Sequence, residues 1–314
     1  MVLRVAAATT CGTDLKVWQR GGHPRMLTVP CAFGHEMAGT VAAAGNGVEA
    51  VREGDRVVVA NSASCGQCAA CRAGRENLCR DLDYLNGAFG EYLLVPERFV
   101  RRSTYSISRD LPLERATLAE PLACVLHGLE VCDSDRRQEA LVLGGGPIGL
   151  MFVAVLAARG QRVVLADLIP RRLEVGSVLG AAETVLVSGG AEDAARLRGP
   201  FAGTGPALVV EATGHPAAWE AAIEAAAPGG EVLLFGGCAP GSTASCDTHR
   251  VHYSELTVRG AYHHRPATFR QAVRLLEEGL DLTPIVDHEC RLSGIGDALA
   301  AMERREVLKS LVRP

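Results

Sequence analysis

One stretch near the middle of the chain, residues 139–167, limits the possible folds more than any other. It begins Glu-Ala-Leu-Val-Leu-Gly-Gly-Gly-Pro-Ile-Gly and runs through an apolar segment to Val-Val-Leu-Ala-Asp. The order is therefore strand, glycine turn, helix and strand. Units of this kind build doubly wound parallel sheets, so we predict an α/β fold.

The glycine turn fits the pattern G-x-G-x-x-G. The residues of the pattern that we assign to a cofactor are Gly144, Gly146, Pro147, Ile148 and Gly149. In such turns the first glycine permits the tight bend, the second lets a pyrophosphate approach, and the third lets the helix pack closely on the sheet. The phosphate lies at the positive end of the helix. We predict a dinucleotide site here rather than a turn without a ligand.

The acid at the end of the second strand bears on the choice of dinucleotide. Asp167 stands where a carboxylate can bind ribose hydroxyls. It would repel a 2′-phosphate, so NAD is the predicted cofactor. Arg171 and Arg172 follow closely and leave some use of NADP open, although we interpret them first as solvated residues at a helix start. We include Arg172 among the cofactor-binding residues.

Composition narrows the class of protein. A chain of 314 residues is long enough for about two domains. Its net charge of -4 argues against nucleic-acid binding, which favours a basic face. The sequence has no apolar run of about 20 residues and no signal-peptide layout, so we expect no membrane association. Eleven cysteines, several at metal spacing, favour a reduced, cytoplasmic protein over a disulfide scaffold.

The least ambiguous local signal is a cysteine cluster with the spacing C-x2-C-x2-C-x7-C. It consists of Cys65, Cys68, Cys71 and Cys79. Four thiolates in one short loop satisfy tetrahedral zinc and leave no open position, which indicates a structural metal. An iron–sulfur cluster is the competing metal. A nucleic-acid-binding zinc ribbon is not supported, because the nearby arginines are offset by acids.

Three other signals are weak individually. Cys11 follows the first predicted strand, His35 and Glu36 stand at a strand entrance, and Glu120 precedes Pro121. A lone cysteine is more often a small buried hydrophobe, and a lone histidine is often only hydrogen-bonded. Because proline breaks helices, we expect Glu120 to lie at a break inside a helical stretch over residues 112–123.

The organisation along the chain is a turn-rich β region followed by alternating strands and helices. We predict a first domain over 1–123, with the cysteine lobe at 61–80. A dinucleotide-binding domain follows over 124–261, and a final segment over 262–314 returns to the first domain. The sequence contains no internal repeat, linker or low-complexity tract.

Together these motifs, in this order, resemble the zinc-dependent medium-chain dehydrogenases, most closely the sorbitol and threonine dehydrogenase branch. The resemblance covers nearly the whole chain. It implies a GroES-like, β-rich catalytic domain, shortened at its N-terminus, and a Rossmann domain inserted before the final segment. It also implies a catalytic zinc in the cleft between them and a homodimer or homotetramer.

The family's site residues carry over onto this sequence. Cys11 and His35 match the two constant zinc ligands, and Glu36 and Glu120 match two carboxylates that bind or support the metal. Thr13 matches the hydroxyl that contacts the substrate oxygen. Asp14 resembles the residue that orients the histidine ligand. The resemblance thus implies two zinc ions per chain, one catalytic and one structural.

The implied activity is hydride transfer between NAD(P) and a secondary alcohol or ketone. Polar residues Tyr262, His263 and His264 suit a polyol, cyclitol, amino alcohol or sugar derivative, unless the histidines merely belong to the domain hinge. Two alternatives stay open: an inactive dinucleotide-binding sensor or scaffold of the same fold, and a zinc-free quinone or enoyl reductase.

Two departures from the family stand out. Lys16 replaces a histidine that ends the proton relay in many relatives, and its ordinary pKa of about 10.4 makes it a poor base. Relatives also carry β-strands before the strand that leads to Cys11. We expect a true start upstream of Met1, the alternative being a catalytic domain with an unpaired β edge. The intact mass of the natively expressed protein tests this expectation.

Overall fold

The protein is described here by a computed structural model covering residues 1–22, 26–27, 29–132, 134, 138–189 and 193–314. These residues form two units. The first contains residues 1–124 and 264–314, and the second contains residues 125–263. Within the described ranges, no helix is both long and apolar enough to cross a lipid bilayer.

The elements follow one another from the N-terminus. Up to the first long helix they are β1 (Val2–Thr9), α1 (Gly12–Arg20), β2 (Glu36–Ala43), β3 (Arg56–Val59), β4 (Ser62–Ala63), α2 (Ala69–Arg72), β5 (Asp83–Tyr84), β6 (Tyr92–Leu94), α3 (Glu97–Arg102), β7 (Thr104–Ser106), α4 (Leu113–Ala116) and α5 (Ala119–Val131). The middle of the chain forms β8 (Glu139–Leu143), α6 (Pro147–Ala158), β9 (Arg162–Asp167), α7 (Pro170–Val178), β10 (Glu183–Leu186), α8 (Asp193–Arg198), β11 (Leu208–Glu211), α9 (Pro216–Ala225), β12 (Glu231–Leu234), α10 (Thr248–Tyr253) and β13 (Thr257–Gly260). The last segment forms α11 (Pro266–Glu277), β14 (His288–Arg291), α12 (Ile295–Glu303) and β15 (Ser310–Arg313).

A seven-stranded sheet organises the first unit, in the order β14-β15-β1-β2-β3-β7 with β6 also on β1. β1 pairs antiparallel with β2 on one side, and with β6 and β15 on the other. The unpaired β edge considered above is therefore not at β1. Strands from both ends of the chain meet here, because β15 lies directly beside β1.

The helix around Glu120 differs from the sequence-based prediction. The break falls between α4 and α5, before Ala119, and Glu120 and Pro121 lie in the first turn of α5. Our expectation that Pro121 interrupts a helix over 112–123 was wrong in position. A proline in the first turn removes no intrahelical hydrogen bond, so α5 continues through it to Val131.

The second unit is a six-stranded sheet in the order β10-β9-β8-β11-β12-β13, with every neighbouring pair parallel. This confirms the predicted doubly wound sheet. α6 is buried continuously from Gly149 to Leu156, as expected for the helix that covers the central strands. The order reverses between β8 and β11, so the turn after β8 lies at the switch point where such sheets bind ligands.

Candidate active site

Cys11 lies between β1 and α1 and caps that helix. Its Sγ accepts a hydrogen bond from the backbone N–H of Thr13 at 3.4 Å, and its own N–H donates to Asp14 Oδ2 at 2.8 Å. The local fold therefore fixes the Cys11 sulfur at the N-terminus of α1, next to Asp14.

His35 immediately precedes β2 and is held by a carboxylate. Its Nδ1 lies 3.0 Å from Asp14 Oδ1, with side-chain exposures of 4% and 2%. Burial lowers the pKa of His35, but the charge and hydrogen bond of Asp14 outweigh this and raise it well above its ordinary value. A hydrogen bond from Nδ1–H to Asp14 leaves Nε2 to act as the ligand, the usual arrangement at metal-binding histidines.

Glu36 is fully buried, and its two oxygens differ. Oε2 lies 2.5 Å from Thr9 Oγ1, which donates to it, and 2.5 Å from Lys309 Nζ. Oε1 is buried and has no hydrogen-bond partner within the described ranges. An unsatisfied buried carboxylate oxygen is costly. Something other than a side chain of this structure would therefore be expected to bind Oε1.

The ligand atoms of Cys11, His35 and Glu36 all lie within 4.8 Å of one another. A thiolate, an imidazole and a carboxylate are the donors that zinc takes in catalytic sites with three protein ligands. Glu36 also has one oxygen, Oε1, that no hydrogen bond within the described ranges occupies. These residues fit a zinc ion.

Glu120 lies beside this group without belonging to it. Its Oε1 is 3.8 Å from Cys124 Sγ and 3.9 Å from His264 Nε2. Burial raises the pKa of Glu120 to about 7, while the charge of His35 lowers it and that of Glu36 raises it. Glu120 thus interacts electrostatically with His35 and Glu36, but in this conformation its carboxylate is grouped with His264 instead.

The four cysteines of the lobe converge closely. Sγ–Sγ distances are 3.9 Å for Cys65–Cys71, 3.5 Å for Cys68–Cys71 and 3.8 Å for Cys68–Cys79. Tetrahedral zinc, with bonds of about 2.3 Å, places thiolates about 3.8 Å apart. A cluster of several irons would hold its thiolates further apart. The lobe geometry therefore fits one zinc ion, and backbone N–H groups lower the pKa of Cys65 and Cys68.

The glycine turn has the close contacts expected of a dinucleotide fingerprint. A Cβ on Gly149 would lie 1.7 Å from the Gly144 carbonyl oxygen, and Gly144 itself has φ +99°. Gly146 caps α6, and no described atom lies within 4 Å of its ideal Cβ position. Pro147 and Ile148 form the first turn of the helix. The open space at Gly146 fits a pyrophosphate at the helix N-terminus.

Asp167 is placed at the end of β9, next to this turn. Its Oδ2 accepts from the Gly145 N–H at 2.6 Å, and its Oδ1 accepts from the Ile169 N–H at 2.7 Å. Arg172 Nη1 lies 3.6 Å from Oδ2. Because a carboxylate has about four lone-pair positions, Asp167 can still accept hydrogen bonds from ribose hydroxyls.

Two of the remaining predicted residues follow Cys11 in α1, and sequence reasoning missed two other polar residues. Thr13 is half-buried in the first turn of α1, and Lys16, one turn later, is exposed. Sequence reasoning missed Lys309, which is 1% exposed, and Asn61, whose Oδ1 lies 2.9 Å from His264 Nε2. The sequence does contain a signal for Lys309, which lies in the mostly apolar stretch Val-Leu-Lys-Ser-Leu-Val. This stretch predicts that Lys309 is buried, and a lysine is almost never buried without a partner.

Comparisons with known proteins agree with this geometry. Residues 1–104 match the alcohol dehydrogenase GroES-like domain, and residues 147–278 match the zinc-binding dehydrogenase domain. L-threonine 3-dehydrogenase of Bacillus velezensis is 33% identical, over 100% of this chain and 91% of that protein. D-altritol 5-dehydrogenase of Agrobacterium fabrum is 35% identical, over 93% and 85%.

A solved structure is also similar. It is a zinc-binding dehydrogenase from Sinorhizobium meliloti bound to NADP, with a TM-score of 0.91 and 29% identity. The match covers 100% of this chain and 92% of that one. With two domain matches and full-length relatives above 30% identity, the chain belongs to the zinc-dependent medium-chain dehydrogenases, in the sorbitol and threonine dehydrogenase-like branch.

Proposed function

We propose that this protein is an enzyme that transfers a hydride between NAD(P) and a secondary alcohol or ketone of a small polar molecule. The observation that carries the proposal is the convergence of the ligand atoms of Cys11, His35 and Glu36 in a buried group, where Glu36 Oε1 has no hydrogen-bond partner within the described ranges. This set supports a zinc-dependent reaction over a zinc-free reductase of the same fold. The glycine turn and Asp167 support the dinucleotide as hydride carrier.

In the proposed mechanism, Cys11, His35 and Glu36 would hold the zinc, with Glu120 as a further carboxylate. When bound, zinc supplies a Lewis acid that polarises the substrate oxygen. Asp14 keeps the His35 ring oriented through Nδ1. The Thr13 hydroxyl accepts the proton that the substrate hydroxyl loses and donates its own proton to solvent. The glycine turn positions the dinucleotide.

We infer a polar substrate from the residues near Glu120. His264 is buried and lies 2.9 Å from Asn61 Oδ1, so polar groups flank this carboxylate. His263 has a left-handed backbone with φ +62°, which is uncommon outside glycine and often marks functional positions. The relatives named above act on threonine and on altritol, which are both small hydroxylated molecules.

The activity is tested by measuring NAD⁺ and NADP⁺ reduction with a panel of polyols, cyclitols, sugar acids and threonine. We expect turnover with at least one of these substrates, and loss of that turnover after removal of zinc by a chelator. Dinucleotide binding without turnover on any substrate would favour the sensor or scaffold. Turnover that survives complete zinc removal would favour the zinc-free reductase.

We predict that NAD is preferred and that Asp167 sets the preference. Replacing Asp167 with Ser removes the charge that opposes a 2′-phosphate and frees Arg172. The ratio of kcat/KM for NADP to that for NAD should rise by about tenfold or more, as expected for one charged hydrogen bond. Glu183→Gln, at an exposed acid of β10, is the control and should leave the ratio unchanged. A wild-type preference for NADP would contradict this prediction.

We further propose a cytoplasmic homodimer or homotetramer. β13 is the outer strand of its sheet, and all four of its residues are exposed. An exposed strand edge can pair with a second copy around a twofold axis. The four lobe thiols must stay reduced to bind metal, which suits the cytoplasm. Light scattering on the purified protein should give a multiple of the chain mass, and a monomer would contradict the proposal.

A further inference from the structure

Lysine is rare in this chain. The sequence holds 32 lysines and arginines together, of which only Lys16 and Lys309 are lysines. Lys16 is on the surface, whereas Lys309 is 1% exposed. Burial of a lysine side chain is costly unless its charge is paired. A buried lysine in such a chain therefore calls for a specific explanation.

The pairing of the two chain ends places Lys309 at the metal-ligand group. Ser310 N–H donates to Thr10 Oγ1 at 2.9 Å, and Thr10 N–H donates to the Ser310 carbonyl at 3.0 Å. This register sets Lys309 beside the residue that precedes Cys11. Its Nζ donates to the Thr10 carbonyl at 2.7 Å and lies 2.5 Å from Glu36 Oε2. The ammonium group is thus held from two sides.

As a result, the two carboxylate oxygens of Glu36 have different surroundings. Oε2 has two partners, Thr9 and Lys309, whereas Oε1 has none within the described ranges. A carboxylate held in this way can offer a cation one oxygen only. It is also a weaker donor, because a fixed positive charge lies against its other oxygen.

Lys309 also opposes the metal directly. A positive charge that shares a carboxylate with a divalent cation repels that cation, because the low dielectric of a buried site screens the repulsion poorly. Lys309 and a zinc ion held by Cys11, His35 and Glu36 would share the same carboxylate. The positive charge of Lys309 therefore lowers the affinity of this site for zinc.

We propose that Lys309 is a positioning residue of the catalytic metal site, which restricts Glu36 to one ligand oxygen and weakens zinc binding there. The proposal rests on the zinc-dependent function proposed above. Its functional consequence would be a site in which Glu36 contributes one oxygen and binds zinc less tightly than a carboxylate without an ion pair.

The test is zinc release into a chromogenic chelator, measured on the zinc-loaded protein without substrate or dinucleotide. Lys309→Met removes the charge and keeps the length of the side chain. We expect zinc to leave the Cys11 site at least tenfold more slowly than in the wild type, and the chelator concentration needed to remove it to rise. Zinc in the four-cysteine lobe should leave at the wild-type rate, which provides an internal control.

Two further variants separate charge from other effects. Lys309→Gln keeps a donor for Glu36 without the charge and should slow release in the same way, which also serves if the methionine variant does not fold. Lys16→Met removes the other lysine and should leave zinc release unchanged. Unchanged or faster release in both Lys309 variants would overturn the proposal, since a merely structural lysine would loosen the site. Because no substrate is used, failure here is distinguishable from failure of the proposed activity.

Discussion

A Cys11→Ser variant should contain one zinc ion per chain, whereas the wild type should contain two. Serine is a poor zinc ligand, and His35 and Glu36 alone cannot hold the ion. The lobe does not depend on Cys11, so its zinc should stay. Loss of a metal ion that supplies several kcal/mol of transition-state stabilisation should lower kcat/KM by about 1,000-fold or more. Metal analysis and initial-rate kinetics on the same preparation measure both effects.

The matched control for this variant is Cys31→Ser. Cys31 is exposed and belongs to neither metal-ligand group. This variant should keep two zinc ions and wild-type kcat/KM. If Cys11→Ser retained two zinc ions, the assignment of Cys11 as a ligand would be wrong. If it lost one ion but kept its activity, the metal would not take part in the reaction.

The second unit was predictable from the sequence because its signal is local. Gly144 and Gly149 must both be glycine, since a Cβ at Gly149 would overlap the carbonyl of Gly144. The strands and helices that follow alternate at short range. Each one can therefore be identified without knowing its neighbours in space, and the predicted alternation of strands and helices agrees with the observed elements.

The first unit was predictable only in part, because its contacts join distant parts of the chain. The four lobe cysteines lie within fifteen residues, so their spacing alone indicates a metal. In contrast, Lys309 meets Thr10 across 299 positions. That contact depends on the register of β15 against β1, and no local pattern encodes it. Glu120 is an intermediate case. Its sequence motif identifies it as a candidate site residue, but it does not predict which residue its carboxylate lies beside.

The helix α1 shows why short elements were missed. Its nine residues include only three large apolar side chains, so the sequence offers no long apolar pattern there. What begins it is a capping box in which Cys11 Sγ accepts from one N–H and Asp14 accepts from the Cys11 N–H. The same two residues serve the candidate metal site, because Asp14 also holds His35. Cys11 and Asp14 thus both cap the helix and belong to the candidate metal site.

A Cys68→Ser variant should lose the lobe zinc and unfold the lobe locally. The lobe lies between β4 and β5, two paired strands of two residues each, so we expect the metal to supply most of its order. Its exposed residues Arg72 and Arg75 are trypsin sites. Cleavage there should be at least 100-fold faster in the variant, because proteolysis follows the population of the open form. The fragments can be identified by mass.

We expect loss of the lobe zinc to change the surroundings of Glu120 as well. Arg265 Nη1 donates to the Gly74 carbonyl inside the lobe at 2.9 Å, and the adjacent His264 lies 3.9 Å from Glu120 Oε1. Disorder of the lobe should therefore raise KM for the substrate while the second zinc ion stays bound. Cys246→Ser, at an exposed cysteine in the other unit, should change neither cleavage nor KM. Wild-type resistance to trypsin in Cys68→Ser would show that the four-cysteine lobe is ordered without its metal.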